Sequence, residues 1–181
     1  MFFIIALLTL AGCVSNAPHA EFVKTVNFSS LDTFSYKHTL VVGMEFRESE
    51  QQMLESLSEE TISSELRSLG FEQAAAVAAA DFFAVVKWKK AVSSYANPFD
   101  HIDPYQDVVS RRENATQFAS RIHLTLEIYE TSTGNLFWRK DLPNIFDAIQ
   151  LTEDRVIHSL ERAIGNFPAH IAKDPNLPNI E

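Results

Sequence analysis

Cysteine and glycine are scarce in this sequence, which has one cysteine, Cys13, and five glycines among 181 residues. A single thiol near the N-terminus excludes a disulfide framework, a thiolate metal site and a cysteine nucleophile in the folded domain. So few glycines leave no phosphate-cradling loop, and the Gly-x-Ser-x-Gly nucleophile elbow does not occur. These shortages exclude several common classes of enzyme.

Basic residues are also few, with 15 Lys and Arg against 24 Asp and Glu and a net charge of −9. A field of that sign repels phosphate backbones and anionic membrane surfaces, so we expect no nucleic-acid partner. The rest of the composition, 46% hydrophobic and 22% charged, is typical of a globular chain. The length suits one domain with a sizeable core.

The N-terminus carries an apolar run, residues 2–8, which is too short for a spanning helix of about 20 residues. The tetrapeptide Leu-Ala-Gly-Cys follows it at residues 10–13 and resembles the lipobox of bacterial lipoproteins. That resemblance implies a signal peptide at residues 1–12, cleavage before Cys13, and acylation of the cysteine with palmitate-like chains. An ordinary cleaved signal with an incidental cysteine, or a truncated membrane anchor, is the alternative.

Lipidation of Cys13 predicts where the protein resides. Each buried methylene contributes about 0.8 kcal/mol, so one acyl chain attaches reversibly whereas two or more hold a protein in a leaflet. Val14 and Ser15 follow the cysteine, and by the sorting rule of enteric bacteria the lack of Asp at the next position favours the outer membrane. We expect a lipid-anchored protein on the periplasmic face of the outer membrane, with residues 13–20 as a tether.

Hydrophobic periodicity predicts strands and a helix in the first half of the domain. Residues 21–28 alternate like a half-buried strand, and the β-branched run within residues 39–46 predicts a second strand. Apolar spacing of three and four over residues 49–69 predicts an amphipathic helix that Gly70 closes. The alanine-rich residues 74–80 are either a short helix or a connector. The predicted helical stripe consists of Leu54, Leu57, Thr61, Glu65 and Leu69, with Met53, Ile62 and Leu66 beside it.

The second half predicts a strand, a hairpin and a final helix. Residues 82–88 are an apolar strand, and residues 122–128 alternate most cleanly before a turn and a return strand at 136–142. Thr152 is the predicted N-cap of the helix, and Pro168 ends it. The core face of that helix is Val156, Leu160, Ala163 and Phe167. These elements make one domain at residues 21–172, with a surface loop at 97–114 and a loose tail at 173–181.

Short motifs follow one another in a characteristic order: LDTFSYK at residues 31–37, LGF at 69–71, ADF at 80–82, IYE at 128–130, TGNLFWR at 133–139 and NFP at 166–168. With the lipobox in front, this order resembles bacterial lipoproteins of the domain of unknown function 4136 (DUF4136). The resemblance covers nearly the whole mature chain and implies a small mixed sheet with helices packed on it. It implies no activity, because the family has no established one. The expected fold class is α+β, a two-layer domain whose mixed, mostly antiparallel sheet carries two main helices.

Four potential ligands crowd the loop at residues 97–114, namely Asp100, His101, Asp103 and Asp107. Oxygen ligands with one imidazole could hold a hard or borderline cation. The loop lacks the glycine of a tight chelating turn, and zinc sites normally have more His or Cys. We therefore expect a solvated acidic loop and no metal or cofactor, with small-ligand or ion binding as the alternative.

Other candidate residues have two interpretations each. Glu127 and Glu130 are paired by spacing at a strand end, where divergence is as expected as convergence. Trp138 could stack on a ligand, but we expect a core position. Three lysines at 87, 89 and 90, with Arg111 and Arg112, form either a solvated strand edge, which we favour, or a basic patch for an anionic partner.

These observations predict a non-enzymatic envelope lipoprotein. Its partners would be the membrane, through Cys13, and an envelope protein or glycan bound at a sheet edge or at the long loop. An ion-binding module at residues 100–107 is the first alternative, and a hydrolase is the second.

Overall fold

The computed structural model describes residues 20–43, 46–95 and 117–171, which form six strands and two α-helices. In chain order the elements are β1 (Ala20–Phe22), β2 (Thr33–Gly43), α1 (Glu48–Ser68), β3 (Glu72–Gln73), β4 (Phe82–Tyr95), β5 (Gln117–Glu130), β6 (Leu136–Asp147) and α2 (Glu153–Ile164).

The six strands form one sheet in the order β1-β6-β5-β4-β2-β3. The pairs β1/β6, β6/β5 and β5/β4 are antiparallel, whereas β4/β2 and β2/β3 are parallel. The parallel pair β2/β4 is joined by α1, as parallel strands require a crossover, and β5/β6 is joined by a short turn. The fold is therefore α+β with a mixed, mostly antiparallel sheet and two main helices, as the sequence predicts.

One hydrophobic core lies between the sheet and the two helices, which contact each other on the same side of the sheet. The alternation predicted for residues 122–128 is confirmed, since its apolar members are at most 1% exposed. Trp138 on β6 is fully buried, which confirms a core position rather than a ligand-stacking one. The core-facing residues of β4 and β5 are Phe82, Ala84, Val86, Trp88, Ile122, Leu124, Leu126 and Ile128.

Helix α1 has the bounds that the periodicity predicts, but a different buried stripe. The backbone N–H of Arg47 donates to the Glu50 carboxylate at 2.8 Å and closes the first turn, and Gly70 follows the helix at φ +95°. The most buried row is Leu54, Ser58, Ile62 and Leu66, next to the predicted one. The apolar spacing of the sequence missed Ser58 because serine is polar. Its hydroxyl can be buried since it accepts a hydrogen bond from the Trp88 indole N–H at 2.9 Å.

Helix α2 begins after Thr152, as predicted, but ends at Ile164 instead of at Pro168. The N–H of Gly165 closes the last turn on the Glu161 carbonyl at 2.8 Å. Phe167 then lies outside the helix and is 3% exposed, because leaving the helix lets its ring pack among other aromatic rings. Its ring partners are Phe28, Phe71, Phe82, Phe137 and Trp138.

The N-terminal strand is shorter than predicted. Among the described residues, Ala20–Phe22 pair with β6, and after Val23 the chain leaves the sheet and forms a 3-10 helix at Phe28–Ser30. The apolar residue Phe28 packs edge-on against Phe71 at a centroid distance of 6.4 Å. The prediction of a strand over residues 21–28 is wrong at its end because this ring joins the aromatic cluster instead of continuing the alternation.

Strand β2 begins earlier than the predicted 39–46 and ends at Gly43. Its register against β4 shifts between Tyr36 and His38, so Lys37 is an extra residue in the strand. Such a bulge interrupts the alternation of inward- and outward-facing side chains. The alternation in the sequence therefore does not predict the first half of the strand. The alanine-rich residues 74–80 are a connector with one 3-10 turn, Val77–Ala79.

Candidate binding surface

The residues predicted to carry lipid or ligand lie outside the described residues. Cys13 precedes them, and Asp100, His101, Asp103 and Asp107 fall in the gap between residues 95 and 117. Their roles stay predictions. In the part of the chain that the structure describes, His, Cys, Asp and Glu side chains form no group of three that could hold a metal ion.

The second face of the sheet, which we call the open face, carries neither described helix. It is built from the residues that alternate with the core positions of the strands. Most of these are polar, in keeping with a face that meets water. The open face comprises Ser35, His38, Leu40 and Val42 on β2, Phe83, Val85, Lys87 and Lys89 on β4, Arg121, His123, Thr125, Glu127 and Tyr129 on β5, and Arg139 and Asp141 on β6.

Glu127 lies at the centre of the open face and is nevertheless only 4% exposed. Its carboxylate is 2.6 Å from Lys87 Nζ, accepts the Tyr129 hydroxyl at 2.5 Å, and is 3.8 Å from Arg139 Nη1. A buried carboxylate without such partners costs several kcal/mol, so these contacts hold it in place. Glu130 instead accepts the Thr133 hydroxyl in the following turn, so the two glutamates do not converge.

The groups around Glu127 are fixed in opposite protonation states. Burial raises the pKa of Tyr129 to about 12, and its hydrogen bond to Glu127 adds to the rise, so the phenol stays a donor. Burial alone would raise the pKa of Asp141, but hydrogen bonds from Arg139 at 2.7 Å and Thr125 at 2.6 Å hold that pKa below its ordinary value. The open face is thus a satisfied network of charges.

Aromatic packing closes the open face next to this network. The rings of Phe83 and Tyr129 stack at a centroid distance of 5.2 Å and an angle of 10°. The Lys37 ammonium lies 4.5 Å from the Phe83 centroid, within the range of a cation–π interaction. Phe83 is therefore buried without a helix above it.

The lysines of β4 do not form a strand edge. Strand β4 lies between β5 and β2, so the predicted edge at Lys87, Lys89 and Lys90 is wrong. Lys87 pairs with Glu127, and the Lys90 ammonium lies 5.3 Å from the Phe46 ring. The lysines show where β4 becomes polar. Whether β4 lies at an edge depends on which distant segments pair with it, and the composition of β4 does not show that.

The real edge on this side is formed by β2. Strand β3 pairs only with Thr33 and Phe34, and no described strand pairs with residues 36–43 on the side away from β4. Leu40 and Val42 point to the open face there and are 39% and 48% exposed. We call residues 36–43 the β2 edge. It presents apolar side chains beside a row of backbone N–H and C=O groups.

Gly43 ends the β2 edge at a close approach to the neighbouring strand. Its φ is +105°, and a Cβ at this position would lie 2.3 Å from the Lys90 carbonyl oxygen. Only glycine fits that backbone without a shift.

A polar contact ties the start of β2 to the start of β4. The Asp81 carboxylate accepts the backbone N–H groups of Asp32 and Thr33 at 2.9 and 2.8 Å and the Thr33 hydroxyl at 2.9 Å. Burial would raise the pKa of Asp81, but these bonds hold it below the ordinary value. A cavity of about 260 Å³ opens beside it and is lined by Ser30, Leu31, Ala78, Ala80, Asp81, Glu130, Thr131 and Ser132.

A solved structure with the same architecture is that of a DUF4136 family protein from Bacteroides thetaiotaomicron. The two proteins are 13% identical, the match covers 82% of this chain and 94% of that chain, and the TM-score is 0.52. This chain has the DUF4136 fold. The expected resemblance is thereby confirmed at the level of architecture.

Two further solved structures match with lower TM-scores. The PelC dodecamer from Paraburkholderia phytofirmans is 13% identical over 82% of this chain and 96% of that chain, with a TM-score of 0.43. Lipoprotein GNA1162 from Neisseria meningitidis is 9% identical over 75% of this chain and 96% of that chain, with a TM-score of 0.41. No family model matches the sequence, and no curated protein matches it. Within residues 20–43, 46–95 and 117–171, no helix is long and apolar enough to cross a membrane.

Proposed function

We propose that this protein is a DUF4136 lipoprotein of the outer membrane whose periplasmic domain is a non-catalytic binding module. Acylated Cys13 anchors it, and the β2 edge binds an extended strand of an envelope protein. A leaflet anchor restricts the domain to partners near that membrane, which suits an adaptor.

The exposed apolar edge is the observation that carries this proposal. Edge strands are normally blunted by charge, proline or a covering segment, because a bare edge pairs with other chains. After the bulge at Lys37, the β2 edge has exposed Leu40 and Val42 and contains no proline, lysine, arginine or carboxylate. Strand addition uses such an edge: backbone hydrogen bonds give affinity, and alternate side chains give specificity.

The open face supports a binding role over a catalytic one. A general acid needs a carboxyl whose pKa is raised toward neutrality, whereas the pKa of Asp141 is shifted the other way. The Glu127 carboxylate is paired with Lys87 at 2.6 Å. These side chains are arranged as structural charges.

Site-specific photocrosslinking in intact cells tests the proposal. A photoreactive amino acid at Leu40 should give one discrete protein adduct, and the same probe at Asn144, on the opposite end of the sheet, should give none. Val42→Lys should abolish the Leu40 adduct, because a lysine on the edge opposes strand pairing.

The anchor is tested in the same cells. Cys13→Ser should abolish palmitate labelling, move the protein to the soluble fraction and weaken the Leu40 adduct. A Leu40 probe that gives no adduct, or one that survives Val42→Lys unchanged, contradicts edge binding. A Cys13→Ser protein that still pellets with membranes contradicts the lipid anchor, and an adduct to glycan alone would assign the partner to that class.

A further inference from the structure

We infer that the segment bound at the β2 edge alternates apolar and cationic side chains, with the cationic ones on the side of α1. This inference rests on the proposed function and specifies its partner. It follows from the different chemistry of the two flanks of the edge.

The flank on the helix side is acidic. Helix α1 packs over β2 beside Tyr36, whose hydroxyl is bonded to that of Thr39. Glu55 and Glu59 follow the buried Leu54 and Ser58 of α1 directly, and their charges help to raise the pKa of Tyr36. Both glutamates are exposed and lie one helical turn apart, on one side of α1. Helix α1 as a whole contains six Glu and one Arg.

The flank on the open face is apolar from Leu40 onward, beyond Lys37 and His38. Leu40 and Val42 occupy it, with half of the Val42 surface in water. A strand added next to β2 would lie about 4.8 Å further out and direct alternate side chains to the two flanks. Its apolar residues would cover Leu40 and Val42, and its lysines or arginines would lie beside Glu55 and Glu59.

The same charges disfavour a second copy of this chain as the occupant. Two β2 edges paired about a two-fold axis would place two α1 helices side by side on one face of the joined sheet. Glu55 and Glu59 of each copy would then approach those of the other, and like charges at that distance repel. A cationic strand turns this repulsion into attraction.

Binding of two fluorescent peptides to the full chain in non-ionic detergent tests the inference. Both peptides have about eight residues, the usual length of a strand. One alternates Val and Lys and the other alternates Val and Glu. We expect the Val/Lys peptide to bind at least tenfold more tightly by fluorescence anisotropy, and Val42→Lys to abolish its binding.

Charge-reversal variants separate local from overall electrostatics. The pair Glu55→Lys and Glu59→Lys should reverse the peptide preference. The pair Asp154→Lys and Glu161→Lys makes the same change in net charge on exposed positions of α2, which packs over β5 and β6. It should leave the preference unchanged.

Each other outcome has a definite meaning. If neither peptide binds, the β2 edge does not take strands and the proposed function fails with the inference. If both peptides bind equally and Val42→Lys abolishes both, edge binding stands but the cationic preference is overturned. An equal effect of the two charge-reversal pairs also overturns it. Self-association in sedimentation that Val42→Lys removes would make a second copy the occupant.

Discussion

The two ends of the sheet are finished in different ways. At one end β1 pairs with Trp138, Arg139 and Lys140 of β6, and the exposed remainder of β6 contains Pro143 and the left-handed Asn144 at φ 52°. At the other end β3 covers only two residues of β2, and the rest of β2 is free of proline and carries exposed apolar side chains. Proline and charge oppose strand pairing, so β6 is protected beyond β1, whereas β2 is competent to pair between the Lys37 bulge and Gly43, where it has neither.

This difference separates stability from recognition. The interior strands β4 and β5 hold the core, whereas the β2 edge exposes apolar surface that gives no folding energy. Substitutions in the two regions should therefore have effects of very different size on unfolding.

The largest effect should come from a charge in the interior. Leu124→Asp places an unpaired carboxylate in the core of β5 and should lower the free energy of unfolding by about 3–5 kcal/mol. Val42→Asp on the β2 edge should change it by less than about 0.5 kcal/mol. Urea denaturation of both variants measures the contrast, and similar midpoints would break the distinction between interior and edge.

An intermediate effect is expected where the β2 edge ends. Gly43→Ala combines positive φ with a clash against the Lys90 carbonyl and should cost about 2–3 kcal/mol. Gly134→Ala is the matched control, because its φ of +67° is also positive but its Cβ would meet nothing within 4 Å. That variant should cost about 1 kcal/mol. Equal losses in chemical denaturation would show that the close approach of β2 to β4 has no energetic role.

The smallest effect concerns alkaline stability. Burial raises the pKa of Tyr36, beneath the β2 edge, and of Tyr129, on the open face, to about 12 in the folded protein. A raised pKa gives stability that is complete below the unfolded value of about 10 and is lost as pH rises from there through 12. Tyr36→Phe and Tyr129→Phe should each make that loss shallower, with little difference between them.

Thermal melts from pH 9 to 12, with phenolate absorbance recorded in parallel, measure this dependence. Two tyrosines that ionise at their ordinary pKa without loss of structure would contradict the burial of both hydroxyls.

Local sequence patterns were sufficient to predict the strands and helices that have one face buried against the core and the other face in water. Residues 122–128 alternate because one side packs on helices, and Gly70 marks a helix end because only glycine takes its φ readily. The fold class followed from these elements and from the order of the motifs.

The features that could not be predicted from the sequence depend on contacts between residues that are far apart in the chain. The alternation of β5 puts Glu127 on the correct face, but its burial comes from Lys87 and Arg139 on two neighbouring strands. The β-branched run at residues 39–42 is typical of an interior strand, and its place at an edge depends on which strand lies beside it. Ser58 was missed because its partner, Trp88, lies on another element.

The extra residue at Lys37 gives β2 two opposite phases. Before it, Phe34 and Tyr36 face the helices, and after it Thr39 and Val41 do so, which leaves Leu40 and Val42 outside. Deleting this one residue would remove the bulge and restore a uniform alternation with the inner and outer side chains unchanged, whereas keeping it in a strand without a bulge would exchange the two sets over the second half of the strand. When sequences with this fold are aligned, a one-residue gap at this position is therefore compatible with the same side chains being displayed to a partner.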